Sequence, residues 1–228
     1  MRSSRSRCRR RTSADRRGER VIRSIIWDLG GTLIDTYPDV DRALAAAAYG
    51  ELARRHLAHV AALTRVSSSH AISELARITG VPEPELRRAY DGVADHWQRV
   101  PAPVMAGAPE VMAAVRAGGG LNLVATHRDR DSAQQLIAAT GLIVDDMVCA
   151  PDGYARKPSP ELIVALLRRH GLQPSDAIVV GDRPVDLEAG RAAGVPGALL
   201  VTPGIPLDAG DMPRIGDLRE LLPRIAEG

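Results

Sequence analysis

Phenylalanine is absent from this 228-residue chain, and lysine is nearly so: its 30 basic residues are 29 Arg and one Lys, Lys157. Such a skew is most simply the codon bias of a GC-rich genome, which turns Lys into Arg wherever a diffuse charge suffices. A single surviving ammonium then marks a place where a larger, planar, always-charged guanidinium does not substitute for a compact point charge against a buried anion. Cysteine is scarce too. Cys8 and Cys149 lie far apart and form no spaced set, so neither a disulfide framework nor a Cys-based zinc site is supported, and a reducing cytoplasm is the expected location. No apolar run approaches about 18 residues, which excludes a membrane-spanning helix. Hydrophobic residues at 45% and charged residues at 25% are ordinary for a globular protein, and the length suits one domain or one domain carrying an insertion.

The net charge of +2 conceals two unlike parts. Residues 1–23 hold ten Arg against Asp15 and Glu19, which makes the rest of the chain mildly acidic. Residues 1–20, rich in Arg, Ser and Thr without an apolar stretch, read as a disordered tail. Non-specific nucleic-acid binding is a minor reading confined to that tail.

From Val21 to Trp27 a short β-rich apolar run stops at Asp28-Leu29-Gly30-Gly31-Thr32, as a buried strand emptying into a glycine turn does. Further strands are expected at Leu121–Thr126, Met147–Ala150, Ala177–Val180 and Ala198–Val201, with helices at about 109–117, 131–140, 159–170 and 185–193. This alternation predicts an α/β fold, a doubly wound, Rossmann-like parallel sheet with helices on both faces. Residues 37–103 break the alternation: apolar residues recur at helical spacing, as in Leu44, Ala47, Ala48 and Leu52, with Pro38, Pro101 and Pro103 at the two connections. They read as an inserted all-helical cap on a core formed by 21–36 and 104–228.

Ligands of an open parallel sheet bind beyond the carboxyl ends of its strands. Those ends carry Asp28, Thr126, Asp182 and, four residues on, Asp186, while Lys157 precedes Pro158 on a loop that opens a helix. Asp28 and Asp182 are hard oxygen ligands suited to Mg²⁺. Main-chain N–H groups of the turn after Asp28, at Leu29 and Gly30, together with Thr126 and Lys157, would cradle a phosphate. Asp28 would then attack phosphorus in line. Each piece alone is common as a cap or turn; their joint order is not.

These residues resemble the haloacid dehalogenase-like hydrolase superfamily, in particular its phosphoglycolate phosphatase-like group with a helical cap. The motifs are Asp28-Leu-Gly30-Gly31-Thr32, Thr126, Lys157 and Gly181-Asp182-Arg-Pro-Val-Asp186. The resemblance covers about residues 21–228 and implies Asp28 as nucleophile, Thr126 and Lys157 as phosphate binders, and a Mg²⁺ site of Asp28, the Gly30 carbonyl and Asp182, with Asp186 nearby as a further metal ligand. It also implies a central first strand beside the second and fourth, and a small phosphorylated metabolite as substrate.

One departure stands out. Gly30 replaces the family's second motif-one aspartate, the acid that protonates the leaving oxygen and later activates water. A positioned acid–base is worth about 10²–10⁴-fold, so alkyl esters should suffer most. His127, directly after Thr126, is a candidate replacement proton donor and substrate contact. A non-catalytic phosphate-binding or regulatory descendant is the alternative reading. The phosphonate-cleaving branch needs a cap Lys, and the cap has none. The metal-free dehalogenase branch fits Gly30 with Asp182 poorly.

Overall fold

The computed structural model describes residues 22–205 and 207–225, so the expected tail at 1–20 lies outside the described residues. Strand β1 (Ser24–Trp27) is followed by four helices, α1 (Tyr37–Tyr49), α2 (Arg54–Val66), α3 (Ser68–Thr79) and α4 (Glu83–Trp97). Helices and strands then alternate: α5 (Ala108–Ala117), β2 (Asn122–Thr126), α6 (Arg130–Thr140), β3 (Asp146–Cys149), α7 (Glu161–His170), β4 (Ala177–Gly181), α8 (Pro184–Ala192) and β5 (Gly197–Leu200). A two-residue strand, β6 (Arg214–Ile215), was not expected from the sequence.

The sheet runs β3-β2-β1-β4-β5-β6 with every neighbouring pair parallel, so β1 is central between β2 and β4. Helices cover both faces, and every residue of β1, β2 and β4 is buried, as continuous apolar runs in a parallel sheet require. Side chains still alternate between faces. Ile25 and Trp27 join Val111 and Val115 of α5, while Ile26 joins Leu123 and Leu162 and Ile163 of α7. The indole of Trp27 donates to Asn122 Oδ1 at 3.0 Å, and Asn122 Nδ2 donates to the Met112 carbonyl at 3.0 Å. A polar strand residue thus stays satisfied inside the core.

Local chemistry sets the helix ends. The Asp129 carboxylate accepts the Ser132 N–H at 2.9 Å and starts α6. Gly171, at φ 61°, ends α7, whose last turn carries Arg168, Arg169 and His170 at the negative end of the helix.

The cap leaves and rejoins the core through paired chain. Ile34 bridges Val104, the Asp35 N–H donates to Pro103 O at 2.8 Å, and the Met105 N–H donates to Leu33 O at 2.9 Å. Among the described residues, no helix is long and apolar enough to cross a membrane.

Candidate active site

Three neighbouring strands end side by side. The Asp28 N–H donates to Val180 O at 2.8 Å, extending the β1–β4 ladder by one residue before the chain turns away. Thr126 ends β2 and Asp182 follows β4, so parallel register brings residues from distant parts of the sequence to one edge. Lys157 enters the same edge from the loop before α7. Its Nζ lies 2.5 Å from Asp28 Oδ1, 2.5 Å from Asp186 Oδ1 and 3.0 Å from the Ala125 carbonyl, and the side chain is 1% exposed. Its hydrogen bonds go to Asp28 and the Ala125 carbonyl, while Asp186 faces it as an ion pair. Burial works against that charge, but Asp186 and Asp28 outweigh it and hold the Lys157 pKa above the usual range.

Asp186 departs from its expected place among metal ligands. One oxygen faces Lys157 and the other accepts the Arg183 N–H at 3.0 Å, so the carboxylate anchors the ammonium and the start of α8. Asp182 is differently placed. Its Oδ1 accepts from the Thr32 hydroxyl at 3.0 Å and its Oδ2 from the Tyr37 hydroxyl at 2.6 Å. Burial, reinforced by Asp28 and Asp186 and opposed by Arg183, pushes the Asp182 pKa up to about 7. The Tyr37 phenol is raised well above its ordinary value by burial and by Asp182. Gly31 is required under this contact: its φ is 92°, and a Cβ there would lie 2.3 Å from Tyr37 Cε2 and 2.7 Å from Asp182 Oδ2.

A divalent cation relieves both causes of the raised Asp182 pKa, the burial of its carboxylate and its repulsion by Asp28 and Asp186. The donors are hard oxygens, as Mg²⁺ prefers. Among the described residues no group of three or more His, Cys, Asp or Glu side chains is assembled for a metal. Two carboxylates with a main-chain carbonyl and a phosphate oxygen therefore suit the edge better than an all-side-chain cage. The residues fit Mg²⁺.

Above the edge, core and cap enclose a cavity of about 520 Å³. Asp28, Gly30, Thr126 and His127 line it from the core and Tyr37, Tyr90 and Trp97 from the cap. Thr126 Oγ1 accepts the Arg128 N–H at 3.2 Å, which leaves its own proton to donate. The Leu29 side chain is fully buried in the core and its carbonyl accepts from Leu33 and Ile34, so any substrate contact falls to its main-chain N–H.

His127 needs correction as a proton donor. Its Nε2 accepts the Lys157 N–H at 2.8 Å, and burial, with Lys157, Arg156 and Arg183 around it, lowers its pKa to about 3. A ring so held is neutral across the working range and positions the lysine loop. We expect kcat/KM to show no histidine limb near neutral pH, and His127→Asn to lower the rate without moving the pH profile. A limb that vanishes in the variant would restore the acid role.

Sequence reasoning missed Tyr37, Arg128 and Arg183. The only signal for Tyr37 was an aromatic at the mouth of the cap. The two arginines were invisible among 29.

A model of the haloacid dehalogenase-like hydrolases matches residues 22–194. A phosphoglycolate phosphatase of Nitrosospira multiformis is 30% identical over 187 residues, covering 76% of this chain and 80% of that protein. An N-acetylmuramic acid 6-phosphate phosphatase of Pseudomonas aeruginosa is 29% identical over 185 residues, covering 76% and 79%. Among solved structures, a predicted phosphoglycolate phosphatase from Haemophilus somnus superposes with a TM-score of 0.73 at 19% identity, over 89% of this chain and 97% of that one, which speaks for the fold alone. With the sheet order and the helical cap beside these matches, the chain belongs to the haloacid dehalogenase-like hydrolases, in their phosphoglycolate phosphatase-like group.

Proposed function

We propose that this hydrolase is a Mg²⁺-dependent phosphatase of a small phosphorylated metabolite, working through an aspartyl-phosphate on Asp28. The observation that carries the reading is the Asp28–Lys157 pair, 2.5 Å apart at the end of the central strand and beneath the cavity floor. Asp28, the Gly30 carbonyl and Asp182 would hold Mg²⁺, which would supply positive charge against the phosphoryl oxygens. Lys157 holds one Asp28 oxygen and fixes its rotamer, so that the other is presented to phosphorus. The Thr126 hydroxyl and the N–H groups after Asp28 donate to the remaining phosphoryl oxygens. Asp28 forms the new P–O bond as the bond to the leaving oxygen breaks, and water later cleaves the acyl phosphate.

Gly30 puts no carboxylic acid beside the leaving oxygen. Acyl and aryl phosphates are therefore expected to exceed alkyl esters in kcat/KM by a wide margin, about 10²-fold beyond that of a relative that keeps the aspartate. A panel of phosphorylated metabolites at fixed Mg²⁺ measures this. The direct test is phosphate release from 4-nitrophenyl phosphate. Turnover should need Mg²⁺ and disappear in Asp28→Asn; equal turnover after EDTA treatment would overturn the mechanism. Gly30 also supports the second reading, a phosphate-binding protein without turnover, which predicts Mg²⁺-dependent phosphate binding and no release.

A further inference from the structure

Gly30 leaves more than a gap. A Cβ built at this position would lie 3.1 Å from Thr36 Oγ1 and 3.6 Å from both Nε and Nη2 of Arg128. The volume into which a side chain at residue 30 would project is thus faced by a guanidinium and a hydroxyl. Arg128 comes from the loop after β2, two residues beyond Thr126, and is half-buried in the cavity wall. From behind, its guanidinium is held by the Trp97 ring of the cap, with Cζ 5.4 Å from the ring centroid, and by Ser132 Oγ at 3.5 Å from Nη1.

The charge state of this wall is unusual. Lys157 is paired with Asp28 and Asp186, and Arg183, though it makes no ion pair among the described residues, lies in the fields of Asp28, Asp186 and Asp182. Among the described residues, Arg128 has no carboxylate within ion-pair distance. Asp129, its neighbour, is committed to the Ser132 N–H. A guanidinium placed without a counter-charge in a partly dehydrated wall is available to negative charge brought by, or developing on, a ligand.

In-line attack fixes where such charge develops. With Asp28 on the floor, the leaving oxygen lies on the opposite side of phosphorus and points into the cavity toward the cap, where Arg128, Trp97 and Thr36 meet. Resting on the phosphatase reading above, we propose that Arg128 is a catalytic residue that stabilises the leaving oxygen electrostatically, in place of a proton donor at residue 30. As the bond from phosphorus breaks, its electron pair stays on the leaving oxygen. The guanidinium N–H groups hydrogen-bond that oxygen without giving up a proton. The group departs as an anion and takes its proton from water afterwards.

The same geometry predicts the fate of a restored acid. A carboxylate at residue 30 would reach the guanidinium and pair with it, since a Cβ already lies in van der Waals contact and only Thr36 must give way slightly. Pairing holds the carboxyl ionised and removes its proton.

The test measures kcat/KM with Mg²⁺ on three para-substituted phenyl phosphates of similar size: 4-nitrophenyl, phenyl and 4-methoxyphenyl phosphate. This parameter reports steps through departure of the leaving group. Arg128→Ala should lose less than about tenfold on the nitrophenyl ester and about 10²-fold on the methoxyphenyl ester, so that the loss grows as the leaving anion weakens. Arg128→Lys, which retains charge and packing length, should recover part of that difference. Gly30→Asp should steepen the series as Arg128→Ala does. An equal loss on all three esters would reduce Arg128 to binding or packing and overturn the proposal. So would no loss, or a flatter series in Gly30→Asp. Absence of Mg²⁺-dependent turnover of 4-nitrophenyl phosphate by the wild type would instead bring down the phosphatase reading, and the proposal with it.

Discussion

Lys157→Met is expected to abolish turnover, with a loss of at least about 10³-fold in kcat/KM, and to lower Tm by roughly 6–20 °C. The side chain is 1% exposed, and its ammonium is the cation that touches both Asp28 and Asp186. Removing one partner of a buried ion pair costs about 3–5 kcal/mol because the abandoned charge stays buried. In a domain of this size each kcal/mol moves Tm by about 2–4 °C. The chemical loss has a separate cause: without Lys157, Asp28 loses the contact that fixes its oxygen. Lys157→Arg separates charge from shape. A guanidinium brings a planar fork of five N–H donors to a site shaped around one ammonium, and it must displace Ala125 O or Asp28 to fit. Activity should fall at least tenfold, about 1.4 kcal/mol, with a smaller fall in Tm than in Lys157→Met. Full activity in Lys157→Arg would remove the significance of the chain's sole lysine.

Asp182→Asn should eliminate Mg²⁺-stimulated turnover while making the metal-free protein more stable at alkaline pH. The folded pKa of Asp182, about 7, lies above its ordinary value of 3.8. Between those values the folded protein holds a proton that the unfolded chain has released, so this group's contribution to stability is fully present below pH 3.8 and is lost as pH rises through 7. Above pH 7 the buried carboxylate is charged at full cost. Asparagine never acquires that charge, so the stability difference between variant and wild type should grow from pH 5 to pH 8, by at most about 3 kcal/mol. Urea unfolding in EDTA at the two pH values measures it. Adding Mg²⁺ at pH 8 should raise the wild-type midpoint and leave that of the variant unmoved. Equal Mg²⁺ shifts in both proteins would remove Asp182 from the ligand set.

The strands that carry this chemistry were legible because buried parallel strands are written as short, continuous apolar runs. The run at 21–27 stops at Asp28, and Ala177–Gly181 leads directly into Asp182. Side-chain partnerships across the fold were not legible. His127 reads as an acid beside Thr126, yet its ring is spent on a main-chain N–H 30 residues away. Asp186 reads as one more oxygen ligand, but the folding of the Lys157 loop claims it. Arg128 carried no signal of its own, because in a chain that writes almost every cation as Arg only the absence at Gly30 gives that position meaning. β6 escaped because two residues, one of them an exposed Arg, show no periodicity.

The paired crossing between Leu33–Asp35 and Pro103–Met105 has an architectural consequence. The two ends of a roughly 70-residue excursion are already hydrogen-bonded neighbours in the sheet-bearing part, so the core meets the excursion as it would meet a tight hairpin turn. Closing that loop costs little more entropy than closing a much shorter one, because the penalty grows only with the logarithm of loop length. Lineages can therefore exchange, enlarge or trim what is hung between these two anchor points while strand order and register persist. Selection on the choice of substrate is thereby decoupled from selection on foldability. Tyr37, whose hydroxyl reaches Asp182, and Trp97, whose ring backs Arg128, are the side chains by which the exchangeable part stays answerable to the chemistry beneath it.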